Sequence, residues 1–338
     1  MRKTKKLILL SICLIVLGIT MAIIGLLSGG HGSIVWGKDG LEIYDRANII
    51  KENKELEKFN DVNIDVDFGD IEVIKSDKYA IEVEYNEEVE ELTYKVENEK
   101  LTVSNKRWGK MSFSMGFIDN NTLVKVYIPE NVALNNLDIQ NKSGNLIVDN
   151  IEVKNSNINC DFGNATINNI TGDKINLTGK SGKVYTKNLK LEELVLYVDF
   201  GDVISENINT TTFESNLKSG TLDIKTLTAN NAKINSDFGD VKGIQLVTNG
   251  LLVRAKSGEI NIDGELKGDN TLDCDFGDIS IKTSLPKNEY SYKVDMDFGT
   301  NKIDDKEVEG DVEEINTGAS NNFNINCKSG DLKIDFVK

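Results

Sequence analysis

From Asp61 onward, apolar and polar residues alternate over short stretches, and the alternation itself recurs with a longer period. The local pattern is plain in Ile158-Asn159-Cys160-Asp161-Phe162. A period of two predicts extended strands with one buried face and one wet face. The longer period is nineteen residues. Ile139, Ile158, Leu177, Leu196, Ile234 and Val253 lie whole multiples of it apart. So do Leu146, Ala165, Val184, Val203, Leu222, Val241, Ile260 and Ile279. Fixed-period self-similarity marks a repeat architecture. Nineteen residues are too few for two helices and a turn but suit one coil of a parallel, β-helix-like solenoid. The pattern therefore predicts an all-β fold, with solenoid rungs filling 137–338.

Two motifs alternate in this register. Lys-Ser-Gly begins at Lys142, Lys180, Lys218 and Lys256; Asp-Phe-Gly begins at Asp161, Asp199, Asp237 and Asp275. The glycine allows a positive φ or a close backbone approach at a bend. Stacked in register at about 4.8 Å per rung, Ser and Phe are expected to alternate along an inward column. Lys and Asp are expected to alternate along an outward one. Eight like charges at that spacing would repel, whereas alternation makes neighbours attractive. The motifs thus read as scaffold. Asp-Phe-Gly is not the kinase signature here, because no glycine-rich loop, paired lysine or His-Arg-Asp accompanies it.

The rest of the chain departs from the register. Residues 61–136 alternate, with strands expected at Val62–Val73, Ile81–Tyr85, Leu92–Val96, Leu101–Val103 and Leu123–Ile128, and carry their own Asp67-Phe68-Gly69. An open solenoid end invites edge pairing, so this region is expected to form an N-terminal β cap. Residues 29–60 read as a linker, with a short helix or stalk between Ile49 and Phe59. Beyond Asp275 the next motifs start at Asp297 and Lys328, and the extra residues are expected to leave the coil as loops. One such run, Asp304 to Glu314, is acidic, but it lacks the spacing of a calcium loop and reads as solvated.

Leu7 to Leu27 is almost wholly apolar and follows Arg2, Lys3, Lys5 and Lys6. It is long enough for a transmembrane helix. Positive charge before it predicts a cytoplasmic N-terminus. Residues 1–28 are accordingly expected to be a basic tip and single-pass anchor in the cell membrane, with the bulk extracytoplasmic. A cleaved signal peptide is the rival. A lipoprotein fits poorly, because Cys13 follows Ile12 and lies inside the apolar run.

Composition narrows the chemistry. The net charge of −16 argues against nucleic acid as a partner. The single histidine, His31, lies in the linker, so His-based triads and His-ligated metals are not expected in the folded part. The cysteines lack zinc spacing. Cys160 and Cys274 fall on one column six rungs apart, roughly 29 Å at the strand spacing. Cys327 is expected about two coils beyond Cys274. Three buried free thiols follow. No cofactor, metal or catalytic residue is assigned. Asp65/Asp67, Asp273/Asp275 and Asp295/Asp297 could in principle serve a glycosidase, but acids recur on many rungs and none stands out. One segment is basic and aromatic in an acidic protein: Lys106, Arg107, Trp108, Lys110, Phe113 and Phe117. It is either an ordinary hairpin or a protruding surface that contacts a cell-wall polymer, lipid headgroups or a protein.

The apolar N-terminal segment, the strand-rich opening, Val126-Tyr127-Ile128-Pro129-Glu130 before the first coil, and the repeated Ser-Gly and Phe-Gly-Asp turns together resemble a bacterial envelope family. It is known as putative adhesin or as a domain of unknown function, and includes LiaG-like proteins. The resemblance spans about 60–338. It implies a surface-exposed β-solenoid of Gram-positive type, sometimes linked to envelope stress, and carries over no catalytic residues. The expectation is a non-enzymatic adhesin or envelope-organising module. The alternatives are a regulatory partner of a membrane envelope-stress sensor and a polysaccharide-active enzyme.

Overall fold

The structure, a computed structural model, describes residues 2–27, 34–37, 40–43, 49–87, 89–107 and 122–337. They fall into two units. The smaller holds the helix Arg2–Leu27 and an antiparallel pair, Ile34–Gly37 with Gly40–Ile43. The larger is all-β: one continuous sheet of 25 strands, coiled so that successive turns stack in parallel.

The nineteen-residue register is realised strand on strand. Ile139 pairs with Ile158, Ile158 with Leu177 and Leu177 with Leu196, all Cα to Cα in parallel ladders. These side chains form one buried column with Ile234 and Val253. The second expected column, Leu146 to Ile279, is buried throughout. Each coil turns sharply at its motif glycine. Gly163 has φ +150°, and a Cβ there would stand 1.9 Å from the carbonyl oxygen of Gly144 in the rung below. A second bend falls six residues later. Asn150, Asn169, Asn188 and Asn207 take φ between 53° and 56°, a left-handed conformation that asparagine tolerates better than most residues. Along this bend the amide of Asn188 donates to Asn169 and that of Asn207 to Asn188, both at 2.8 Å.

Both ends of the stack break chain order in the same way. The strand Asp269–Phe276 does not meet the next rung in sequence. It pairs with the later strand Asn321–Ser329, whose far side pairs with Tyr290–Phe298. At the other end, Ala133–Ser143 pairs with Asp61–Val66, whose far side pairs with Lys100–Arg107. The first and last motif rungs in sequence are thus each tucked one layer in. The charges explain the order. A sequential stack would set Asp275 against Asp297, whereas insertion puts Lys328 between them. Likewise Asp67 comes to lie beside Lys142, so the alternation of motifs runs unbroken through all eleven rungs that carry one.

Insertion also corrects the expected cysteine spacing. Cys274 and Cys327 are direct partners on adjacent strands. Both thiols are free and buried, as is that of Cys160. Burial pushes the Cys160 thiol up to about 11, and a hydrogen bond with Cys327 raises Cys274.

The outer edges are covered by antiparallel strands. Ala80–Asn86 lies on Leu123–Pro129. Val312–Glu314 lies on Tyr290–Phe298, and Lys306–Val308 on Asn301–Ile303. Covered edges cannot template further pairing. The acidic run Asp304–Glu314 is used in this cover rather than merely solvated. Asp304 accepts from the amide of Phe336 at 3.0 Å and Asp311 from that of Met296 at 3.1 Å.

Two further expectations fail. The segment from Ile49 is a strand, Ile49–Glu55, not a helix. It pairs with Ala80–Asn86, and Lys51 reaches Glu84 at 2.8 Å, so long-range pairing overrides local propensity. The single-pass membrane anchor at 7–27 is also corrected, and with it the membrane localisation. Among the described residues, no helix is long and apolar enough to cross a membrane.

Candidate binding face

The corner of the coil carries the most unusual surface. The ring of every Asp-Phe-Gly motif faces solvent, from 40% exposed at Phe68 to 75% at Phe298. This overturns the expected inward Phe column. The glycines explain it: neighbouring corner backbones touch, as at Gly163 and Gly144, and no room remains inside for a ring. Serines occupy the same position on alternate rungs, with Phe162 paired to Ser143 and Ser181, and Phe200 to Ser181 and Ser219.

One residue before this row runs the expected charge ladder. Each lysine bonds the aspartate of one neighbouring rung: Lys180 to Asp161 at 2.7 Å, and Lys218 to Asp199, Lys256 to Asp237 and Lys328 to Asp275 at 2.6 Å each. Lys142 pairs with Asp67. The lysine side chains stay more than half exposed, so solvent screens each pair and the ladder sets register more than it adds stability.

On the strand leading to the corner, a polar column faces outward: Tyr197, Asn216, Asn235 and Arg254, in register one above the other. Tyr197 is 46% exposed. Asn235 donates to Asn216 at 2.7 Å, Asn216 to Glu214 at 3.0 Å, and Lys233 to Glu214 at 2.9 Å. Those two hydrogen bonds, from Asn216 first, hold the Glu214 carboxyl below its ordinary range. Arg254 reaches Asp273 at 3.3 Å. Beside the column lies an open groove of about 750 Å³, lined among others by Glu214, Asn231, Lys233, Asn249, Arg254 and Asp269. Its neutral amides and paired charges offer donors and acceptors without net charge. The period makes this column legible, but its meaning needs the outward direction of the strand, which only the packed coil fixes.

In each carboxylate pair considered for glycan cleavage at least one acid is tied up, Asp295 by Lys293. Asp67 is paired with Lys142 and Asp275 with Lys328, while Asp273 takes Arg254 and the amide of Asn326. Among the described residues no cluster of His, Cys, Asp and Glu could hold a metal ion.

Of the basic and aromatic surface residues, Trp108, Lys110, Phe113 and Phe117 lie outside the described residues. Lys106 and Arg107 end the strand Lys100–Arg107. Lys106 is exposed. Arg107 lies 3.9 Å from the buried Glu90. The strands flanking the gap, Lys100–Arg107 and Leu123–Pro129, are the two halves of the outermost rung.

The repeat matches a known family model, Toastrack DUF4097, over residues 59–220 and again over 206–338. The chain belongs to the Toastrack family. The solved structures it resembles include a putative lipid binding protein from Parabacteroides distasonis, 15% identical over 87% of this chain and 98% of that one, with a TM-score of 0.41. A putative adhesin from the same organism is 13% identical over 86% and 97%, with a TM-score of 0.39. A putative adhesin from Bacteroides fragilis is 13% identical over the same shares, with a TM-score of 0.33. No curated protein matches this Toastrack chain. The expected domain-of-unknown-function family is the one the chain matches, and the match does not single out LiaG-like proteins.

Proposed function

We propose that this Toastrack protein is a non-enzymatic binding module of the adhesin type, which holds a polyhydroxylated cell-envelope polymer along the outer face of its stacked strands. The observation that carries the reading is the column Tyr197, Asn216, Asn235 and Arg254 beside the open groove. A flat ring at one end can stack on a sugar face, and amides spaced at the rung repeat can bond successive hydroxyls. Paired carboxylates and the shallow, open groove support binding over bond cleavage, which needs a free acid and base in a desolvated cleft.

The test is co-sedimentation of the protein with insoluble purified cell walls. Tyr197→Ala combined with Arg254→Ala is expected to weaken binding at least about tenfold, or about 1.4 kcal/mol, while circular dichroism stays unchanged. Wall binding that survives both substitutions would remove this face from the reading, and no wall binding by the unaltered protein would remove the reading itself.

A further inference from the structure

The row of exposed rings has a property the proposed polymer face does not use: it is self-complementary. In spatial order it reads Phe68, Ser143, Phe162, Ser181, Phe200, and so on to Phe276, Ser329 and Phe298, without a break. The ladder one residue before it reads Asp, Lys, Asp, Lys over the same rungs. The fold does not require the rings, because serine closes the same corner on every second rung. Nor does the interior use them, since they stand about three-fifths exposed.

We infer that this row is a homodimer face, and that its occupant is a second copy of the chain lying antiparallel along it. A two-fold axis crossing the row midway between two rungs sets every odd rung of one copy against an even rung of the other. Each Phe then lies over a Ser, and each Asp faces a Lys. An axis passing through a rung does the reverse, setting ring on ring and like charge on like charge. The alternation therefore selects both the antiparallel direction and the offset, as an isologous contact requires. The area also approaches that of a stable dimer. Ten of the eleven rungs overlap at this offset, so five rings per copy, each able to bury roughly 150–250 Å² and about three-fifths free, offer on the order of 450–750 Å². A standard interface takes roughly 800 Å² per partner. The lysines keep more than half their surface despite their bonds within the chain, so a facing aspartate can reach them.

The experiment is sedimentation equilibrium of the full chain, of 37.5 kDa. The expected species is a dimer. Phe162→Ser, Phe200→Ser and Phe238→Ser together give the three central rings the residue that neighbouring rungs already carry. They are expected to weaken dimerisation at least about tenfold with an unchanged circular dichroism spectrum. A charge exchange tests whether the two ladders face each other. Lys180→Asp with Lys218→Asp and Lys256→Asp in one chain, and Asp161→Lys with Asp199→Lys and Asp237→Lys in another, are each expected to dimerise poorly alone. Mixed, they are expected to form a heterodimer. Three outcomes overturn the inference: a monomer up to about 100 μM, association untouched by the three Phe substitutions, or a monomer that instead floats with neutral phosphatidylcholine vesicles, which would assign the row to a lipid surface. None of them bears on wall binding through Tyr197 and Arg254.

Discussion

At the corner of each coil a single hydrogen atom decides whether the rungs can stack. Gly201 has φ +155°, and a Cβ would come within 1.8 Å of the carbonyl oxygen of Gly182. Backbone cannot move aside as a flexible side chain can. Gly201→Ala is expected to cost about 3 kcal/mol or more, read as a fall in the urea midpoint with little change in slope. A near-neutral result would mean that the stacked corners have room to separate. The second bend invites the opposite change. Thr226 sits at φ +65° where earlier rungs carry asparagine, and a β-branched residue is strained there. Its hydroxyl bonds Gln245 at 2.9 Å, but Thr226→Asn would continue the amide ladder from Asn207. A gain of about 1 kcal/mol is expected, and a loss on urea unfolding would show that the Thr226 hydroxyl matters more than the backbone strain. The left-handed column is legible in principle, because Asn150, Asn169, Asn188 and Asn207 repeat at the period. Ring direction is not. Alternation assigns the corner residue to the inside, and only the contact between stacked glycines expels it.

For strands, the sequence reveals which residues share a column but not which rungs are neighbours. The period places Leu177 above Ile158 directly. It cannot place Ile64 beside Ile139 or Ile325 beside Leu272, since those spacings are not multiples of the repeat. What ties them is the alternation of Asp and Lys motifs, a rule visible in the sequence that applies in space and not along the chain. The strand Asn321–Ser329 should then matter to more than itself. Removing 321–338 takes the parallel partner from both Asp269–Phe276 and Tyr290–Phe298. Amides of 290–298 are expected to lose hydrogen-exchange protection while those of 184–200, deep in the stack, keep theirs. Retained protection at 290–298 would mean that this rung docks on Asp269–Phe276 by itself, despite Asp297 then facing Asp275.

Over the whole molecule, the paired ladder links stability to alkaline pH. A hydrogen bond to Asp67 raises the Lys142 ammonium above its ordinary 10.5, and one to Asp275 does the same for Lys328. A group whose folded pKa exceeds its unfolded value contributes fully below the unfolded value and is lost as pH rises through the folded one. The urea midpoint is therefore expected to hold level up to about pH 10 and to fall above it. A midpoint that rose over that range would contradict the pairing. The class of fold, the buried columns and the ladder can all be read from the period and the alternation alone. The order of the end rungs and the outward rings cannot, because each depends on contacts between residues far apart in the chain.

The tucked-in strand Asn321–Ser329 also sets a clock. A chain synthesised from its N-terminus completes Tyr290–Phe298 before Asn321–Ser329 exists, yet the earlier strand's place is on the far side of the later one. Until Asn321–Ser329 emerges, neither Asp269–Phe276 nor Tyr290–Phe298 has the parallel partner that the finished stack gives it. Closure of this end therefore waits on Asn321–Ser329, whichever rung is made first.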